Sequence, residues 1–329
     1  MDKRRLGSTD LDVTEVGLGT WNIGSAWGDV SDEEARAAVR TALEEGVTFL
    51  DTADVYGDGA SEKYIGEVLE DWDDSAEVTV ATKVGRRLEP HEAAEYTAAN
   101  LEEHVDRSRE NLGVETLDLV QLHCPPREVY YQPRVFDAME SLVEDGKIDH
   151  VGVSVEKVEE GLKAIEYPCV DTIQIIFNPL RQRPAELFFE EAKRRNIGVV
   201  VRIPLASGLL TGALSTDTTF PESDHRNFNR DGEAFDRGET FSGLAFERGL
   251  EVVDRIESHV PEGMTTAQFS LRWILDHDAV STVIPGSSSP EHIRENVAAA
   301  SLDPLSNQTR GVVRDIYEED VYNAAHHQW

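Results

Sequence analysis

Three short apolar runs in this chain end on a side chain able to do chemistry. VTFLD ends on Asp51, VTVATK on Lys83 and LDLVQLH on His123, and Tyr56 follows the first run within the turn DTADVYGDG. Runs with no polar alternation are what strands buried on both faces look like, and such strands belong to parallel sheets. When reactive groups stand at the carboxyl ends of several parallel strands, they gather on one mouth of a closed barrel. That requirement restricts the fold more than any other feature of the sequence.

The rest of the chain agrees. Alternating apolar positions around Gly7, Gly17 and Gly19 predict a β-hairpin leading into a first strand near Val16 to Gly19. Ser31 with Asp32, Glu33 and Glu34 is a helix start ahead of ARAAVRTALEEG, and Gly46 is its stop. Strand and helix signals then alternate: strand 47–50, helix 61–70, strand 78–82, a long helix from about His91 to Leu112, strand 117–122, helix 135–144 and strand 151–153. They continue with helix 158–165, strand 172–176, helix 185–195, strand 198–203, strand 281–284 and helix 290–299. The pattern predicts an α/β chain with the (β/α)8 TIM barrel architecture, an N-terminal β-hairpin and extra C-terminal helices. A doubly wound sheet is the other candidate, but the G-x-G-x-x-G opening that it needs after the first strand is missing. One barrel of about 250 residues plus decoration accounts for the length, so residues 1–329 are expected to form one domain.

Residues 214–242 break the rhythm, being poor in aliphatics and rich in Asp, Arg, Asn, Thr and Gly. A cofactor-covering flap is the expectation for a long loop of this kind, and a floppy insertion is the alternative.

The chain resembles the aldo-keto reductase superfamily, in the bacterial and archaeal type. The resemblance is carried by KRRLGSTDLDVTEVGLGTWNIG, DTADVYGDGASEKYIGEVL, VATKVG, QLHCPP, VGVS, IQIIFNPL, VRIPLASGLLTG and IPGSSSPEHIRENVAAA, in that order from about residue 3 to 300. It implies hydride transfer between a nicotinamide and a carbonyl or the corresponding alcohol, with Asp51, Tyr56, Lys83 and His123 catalytic. Such a reaction needs a proton donor beside the oxygen on which negative charge develops. In this reading Tyr56 is the acid, Lys83 lowers its pKa, Asp51 holds Lys83 charged, and His123 donates a hydrogen bond to the substrate oxygen or shares in proton relay. Taken singly, each residue has a plainer use: Asp51 as a turn cap, Tyr56 as a loop aromatic, Lys83 as an ion-pair partner, His123 as a satisfied strand-end histidine.

The resemblance also implies a coenzyme site. Ser154 and Gln174 match the residues that hold the nicotinamide carboxamide, although the usual Asn is Val155 here. Arg202 stands where many members stack an aromatic on the nicotinamide, and a planar guanidinium can stack too. The segment from Leu205 to Leu210 resembles the pyrophosphate loop, with Leu205, Ser207 and Leu209 as its contacts. Pro285 to Asn296 resembles the adenosine site, with Gly286, Ser287, Ser289, His292, Glu295 and Asn296 as contacts. Gly286, Ser288 and His292 occupy positions where cations that read a 2′-phosphate are common, leaving Arg294 as the one nearby guanidinium. NADP(H) is the expected coenzyme, with NAD(H) possible. Trp21 and Trp27 are the expected substrate walls.

Two other functions are open to such a chain. A strand-end lysine can form a Schiff base, which would make Lys83 the centre of an aldolase-like lyase, but that lysine must be neutral to attack. A nicotinamide-binding regulatory module is the other alternative. The histidines lack ligand spacing, so no metal is inferred. Cys124 and Cys169 are too few and too far apart in sequence to suggest a disulfide framework.

Lys and Arg total 31 against 64 Asp and Glu, a formal charge of −33. Such a surface repels phosphate backbones and anionic lipid, so nucleic-acid and membrane partners are not expected, and a small carbonyl or alcohol is. MDKRRLGSTDL lacks the apolar stretch of a signal peptide and no run nears the length of a membrane span, so a cytoplasmic location is the expectation. Oligomeric state is not readable. Dispersed acidity with seven Lys against 24 Arg resembles proteins of salt-accumulating halophiles. In molar salt the Debye length falls to about 3 Å, which removes most of the self-repulsion. The expected result is a Tm that rises from dilute buffer into molar KCl; a Tm indifferent to salt contradicts it.

Overall fold

The computed structural model describes residues 1–24 and 30–329. Strands β1 (Lys3–Arg5) and β2 (Asp12–Thr14) form an antiparallel hairpin with Lys3 opposite Thr14. Eight further strands follow: β3 (Leu18–Gly19), β4 (Phe49–Asp51), β5 (Thr79–Val84), β6 (Leu117–His123), β7 (Ile148–Ser154), β8 (Val170–Ile176), β9 (Gly198–Arg202) and β10 (Thr282–Val283). They pair in chain order, all parallel, and parallel bridges Val16–Val283 and Gly19–Gly286 join the first to the last. The curled parallel sheet with its helices is the expected α/β barrel.

Burial on both faces explains the apolar runs. All six residues of β5 are buried. One apolar cluster, made of Leu6, Val13, Phe49, Ala81, Leu119, Val200 and Ile284, unites the hairpin with four of the barrel strands. The larger cluster lies between strands and helices. The hairpin packs at the amino end of β9, where Gly7 has φ +62 and a Cβ on it would lie 2.1 Å from the Gly198 nitrogen. The opposite, carboxyl end is thereby left as the mouth.

The first helix, Asp32–Glu44, starts as its sequence dictates, with a capping box between Ser31 and Glu34. The helix expected from His91 begins instead at Ala98. Thr97 accepts from the Asn100 backbone N–H at 3.2 Å while Asn100 Nδ2 donates to the Glu95 carbonyl at 2.8 Å, so these side chains fix a later start. The helix expected from Ala185 begins at Phe188, because Arg183–Ala185, with Pro184 inside it, is a separate 3₁₀ turn. No described helix is long and apolar enough to cross a membrane.

Residues 214–242 include a short helix at His225–Phe228 and a 3₁₀ turn at Arg237–Glu239, and a second turn follows at Phe241–Gly243. Asp224, His225, Asn229, Glu239, Thr240, Phe241 and Ser242 are buried, so much of the segment is packed rather than floppy. Its far end is held down by the chain's last residue. Trp329 is 2% exposed, lies beneath the Arg181 guanidinium at 4.0 Å, and leaves no room for a Cβ on Gly243, which would stand 2.2 Å from the indole. Trp329 follows the helices Asn307–Asp320 and Tyr322–Ala325.

Candidate active site

Because β4, β5 and β6 are neighbours in register, Asp51, Lys83 and His123 converge at one end of the sheet. Lys83 Nζ donates to Asp51 Oδ1 at 2.6 Å, to the Thr52 carbonyl at 2.7 Å and to the Tyr56 hydroxyl at 3.4 Å. Gln174 Nε2 donates to the other carboxylate oxygen of Asp51 at 2.6 Å, and Gln121 Nε2 reaches it at 3.3 Å. The turn carrying Tyr56 is tied down by a buried hydroxyl chain. Thr52 donates to Ser61, Ser61 to Thr20, and Thr20 to the Asp51 carbonyl. The Tyr56 ring stands edge-on to His123 with centroids 5.9 Å apart. The four residues singled out from sequence therefore meet, and a single cavity of about 540 Å³ is lined by Asp51, Tyr56 and His123.

The electrostatics depart from expectation at Tyr56. Its pKa is raised, because burial disfavours phenolate more than the Lys83 charge favours it, with Asp51 adding to the rise. The phenol is thus held as an acid at neutral pH rather than poised to lose its proton. Lys83 is also raised: burial works against its charge, but Asp51 and then Tyr56 together outweigh it. His123 is driven well below the ordinary histidine value, by burial first and then by Arg86 and Lys83, so it is a neutral imidazole. Below the unfolded histidine pKa of about 6.5 the unfolded chain takes up a proton that folded His123 refuses. This residue's contribution is therefore a loss of stability as pH falls. We expect thermal melts from pH 7 to pH 5 to fall more steeply for wild type than for His123→Asn; parallel slopes contradict the assignment.

Ser154 and Gln174 are register partners on β7 and β8, and the Ser154 hydroxyl donates to Gln174 Oε1 at 3.3 Å. Val155 is fully buried, offering no polar side-chain contact. Arg202, Leu205, Ser207, Gly286, Ser287, Ser289 and His292 line the same cavity, as does Trp21. Leu209 does not: its side chain packs in the core, within 2.6 Å of where a Cβ on Gly249 would be. Glu295 and Asn296 also fall off the cavity wall, further along the helix Pro290–Ala298 whose amino end is capped by Ser289. Trp27 lies outside the described residues. The Ser207 hydroxyl, expected on a pyrophosphate, donates to the Glu239 carbonyl at 2.9 Å. Arg294 is paired with Glu45 at 3.0 Å.

The backbone is strained where the cavity is lined. Ile203, Ala206 and Ser207 all have φ between 48° and 56°, a region costly for residues with a Cβ. Gly208 follows at φ +95. Two amides of this run are already used within it, Ala206 N–H donating to the Ile203 carbonyl at 3.2 Å and Gly208 N–H to the Leu205 carbonyl at 2.9 Å.

Sequence reasoning missed an ionic cluster beside the acid. Glu239, from the 214–242 segment, accepts from Arg86 at 3.0 Å and pairs with Arg202 at 3.2 Å, while Arg86 also reaches Glu156 at 3.3 Å. Burial and then Glu239 push the Glu156 carboxyl up to about 7. No spacing rule connects Arg86 to a residue 153 positions away; only the fold does. Cys124, Glu156 and Glu239 also bring one ligand atom each within 4.8 Å, a group that sequence spacing did not suggest. A metal there would compete with Arg86 and Arg202, which already pair with these carboxylates.

The family model for the aldo/keto reductase family matches residues 15–318. Among curated proteins, the uncharacterized oxidoreductase YqkF of Bacillus subtilis is 28% identical over 98% of this chain and 99% of its own. The NADH-specific methylglyoxal reductase of Escherichia coli is 27% identical over 97% and 99%, and the NADP(+) aldo-keto reductase yakc of Schizosaccharomyces pombe is 29% identical over 95% and 90%. Among solved structures, the glycerol dehydrogenase of Gluconobacter oxydans superposes with a TM-score of 0.79 at 29% identity, covering 97% of this chain and 96% of that one.

Proposed function

This chain belongs to the aldo/keto reductase family and is an NAD(P)(H)-dependent oxidoreductase acting on carbonyl compounds; on that premise we propose that Tyr56 is its general acid, with Lys83 and Asp51 holding it and His123 orienting the substrate oxygen. The observation that carries this reading is the unbroken contact from Asp51 through Lys83 to the Tyr56 hydroxyl on the wall of the cavity.

The lining fits a dinucleotide. Gln174 and Ser154 offer amide and hydroxyl groups at the catalytic end, Leu205 and Ser207 stand on the wall, and Ser287, Ser289 and His292 stand at a helix amino terminus, which favours negative charge. Bound there, the reduced nicotinamide would supply the hydride. Tyr56 gives its proton to the carbonyl oxygen as charge accumulates there, and the high pKa of the buried phenol keeps that proton available. Lys83 stabilises the phenolate left behind, so its charge matters most after transfer. Neutral His123 donates a hydrogen bond to the same oxygen without competing for the proton. Residues 214–242 would wall part of a coenzyme bound there, since Leu214, Arg226, Phe235 and Glu239 stand on the cavity wall.

A Schiff base on Lys83 finds no support, because the residue is an ammonium locked on a carboxylate. Both coenzymes are open to the fold, relatives being named for each. The committed Arg294 and the hydroxyl-lined adenosine end weaken selection for a 2′-phosphate. Turnover of NADPH and NADH across aldehydes, ketones and aldoses in molar KCl tests the proposal. Reduction of at least one class is expected; coenzyme binding without turnover of any would favour a regulatory module.

A further inference from the structure

The proposed acid has an unusual neighbour. Arg86 follows β5 by two residues and lines the cavity beside Tyr56 and His123. Both of its hydrogen bonds to carboxylates, to Glu156 and Glu239, are made by Nη2. Among the described residues Nε and Nη1 take no hydrogen-bond partner, and neither is sealed from solvent. Of the five guanidinium N–H groups, the three on Nε and Nη1 are therefore left free, and Arg86 is the cation acting most strongly on His123. Phe235, 6.0 Å from the guanidinium, and Trp21, 5.9 Å from Phe235, wall the space on the apolar side.

We propose that Arg86 is a specificity-determining residue that selects small carbonyl substrates carrying a carboxylate, which its free donors bind while Tyr56 and His123 hold the carbonyl oxygen. The inference rests on the reductase reading above and extends it to substrate class. Charge balance agrees with geometry. Arg86 and Arg202 share Glu239, and the second carboxylate, Glu156, is pushed up to about 7 by burial and by Glu239, so near neutral pH it is only partly charged. The four groups then carry a net positive charge inside a protein whose formal charge is −33. Arg202 is committed elsewhere, to Glu239 and to the Val155 carbonyl at 3.1 Å, which leaves Arg86 to meet the ligand. Both bidentate edges of the guanidinium include the occupied Nη2, so the free N–H groups meet a ligand carboxylate by single charge-assisted bonds, which a neutral aldehyde has no anion to receive.

The test compares 4-oxobutanoate with butanal, a pair alike except for the carboxylate, in wild type, Arg86→Gln and Arg86→Lys at one fixed KCl concentration. In wild type kcat/KM for the acid should exceed that for the neutral aldehyde by about tenfold or more. Arg86→Gln should erase that ratio, and Arg86→Lys, which keeps a charged N–H donor, should retain part of it. Unreactive butanoate should inhibit butanal reduction competitively in wild type and not in Arg86→Gln. Because the readouts are ratios within one protein, a general loss of activity does not imitate them. A wild-type ratio at or below one, or a ratio unmoved by Arg86→Gln, overturns the proposal while leaving the reductase reading standing. If wild type reduces neither compound and no other aldehyde, ketone or aldose, the reductase reading fails and takes this one with it.

Discussion

Tyr56→Phe is expected to cut the rate of carbonyl reduction by about a thousandfold while leaving a folded protein that still binds coenzyme. General acid catalysis typically contributes about 10²–10⁴ in rate, and a thousandfold is about 4 kcal/mol of barrier. The variant loses only the hydroxyl. Among the described residues its one hydrogen bond is a long 3.4 Å bond from Lys83, so the effect on stability should be about 1 kcal/mol or less. The ring keeps its edge-on seat against His123. Stopped-flow reduction with a saturating aldehyde, beside a thermal melt and a fluorescence titration with coenzyme, separates the two effects. A variant that keeps more than about a tenth of the rate removes Tyr56 from the chemistry. A variant that melts far below wild type shows the residue to be structural instead.

The second large effect is on stability. Lys83 is 1% exposed and its ammonium depends on Asp51. Asp51→Asn leaves that charge buried without a counterion, which costs about 3–5 kcal/mol when one member of a buried pair is removed. The new amide is also badly placed, because at Oδ2 it would turn a donor toward the Nε2 groups of Gln174 and Gln121. The pH dependence has a definite sign. In wild type the raised Lys83 pKa gives stability present below the unfolded lysine value and lost only as pH rises through the folded one. In Asp51→Asn burial is opposed by Tyr56 without Asp51, so the folded ammonium is held less tightly and the deficit grows as pH falls below the unfolded lysine value. Chemical denaturation at pH 7 should show the loss, and the double variant Asp51→Leu with Lys83→Met should recover much of it. Equal stability of Asp51→Asn and wild type contradicts the pairing.

What the sequence revealed and what it hid divide along a physical line. The unalternating runs VTFLD, VTVATK and LDLVQLH reported burial on both faces, and side chains at their ends had to share a mouth once the strands lay parallel. Ser31 with Glu34 is a local device and was legible for the same reason. The ionic cluster was not. Glu239 meets Arg86 and Arg202 only because the 214–242 segment folds over the mouth, and that segment is held by contacts as remote as Trp329 against Gly238. The sign of the Tyr56 shift was hidden too, because a lysine beside a phenol is visible in a motif whereas the extent of burial is not. Leu209 looked like its neighbours in the loop, and only the packing against Gly249 places it in the core.

The central claim is that one buried phenol delivers its proton in the step that receives the hydride. Single-turnover reduction of an aldehyde, measured in H₂O and D₂O with protonated and C4-deuterated coenzyme, reads that step directly. Slowing by each isotope, with the D₂O effect lost in Tyr56→Phe, is the predicted result; a wild-type rate sensitive to coenzyme deuteration but indifferent to D₂O contradicts it.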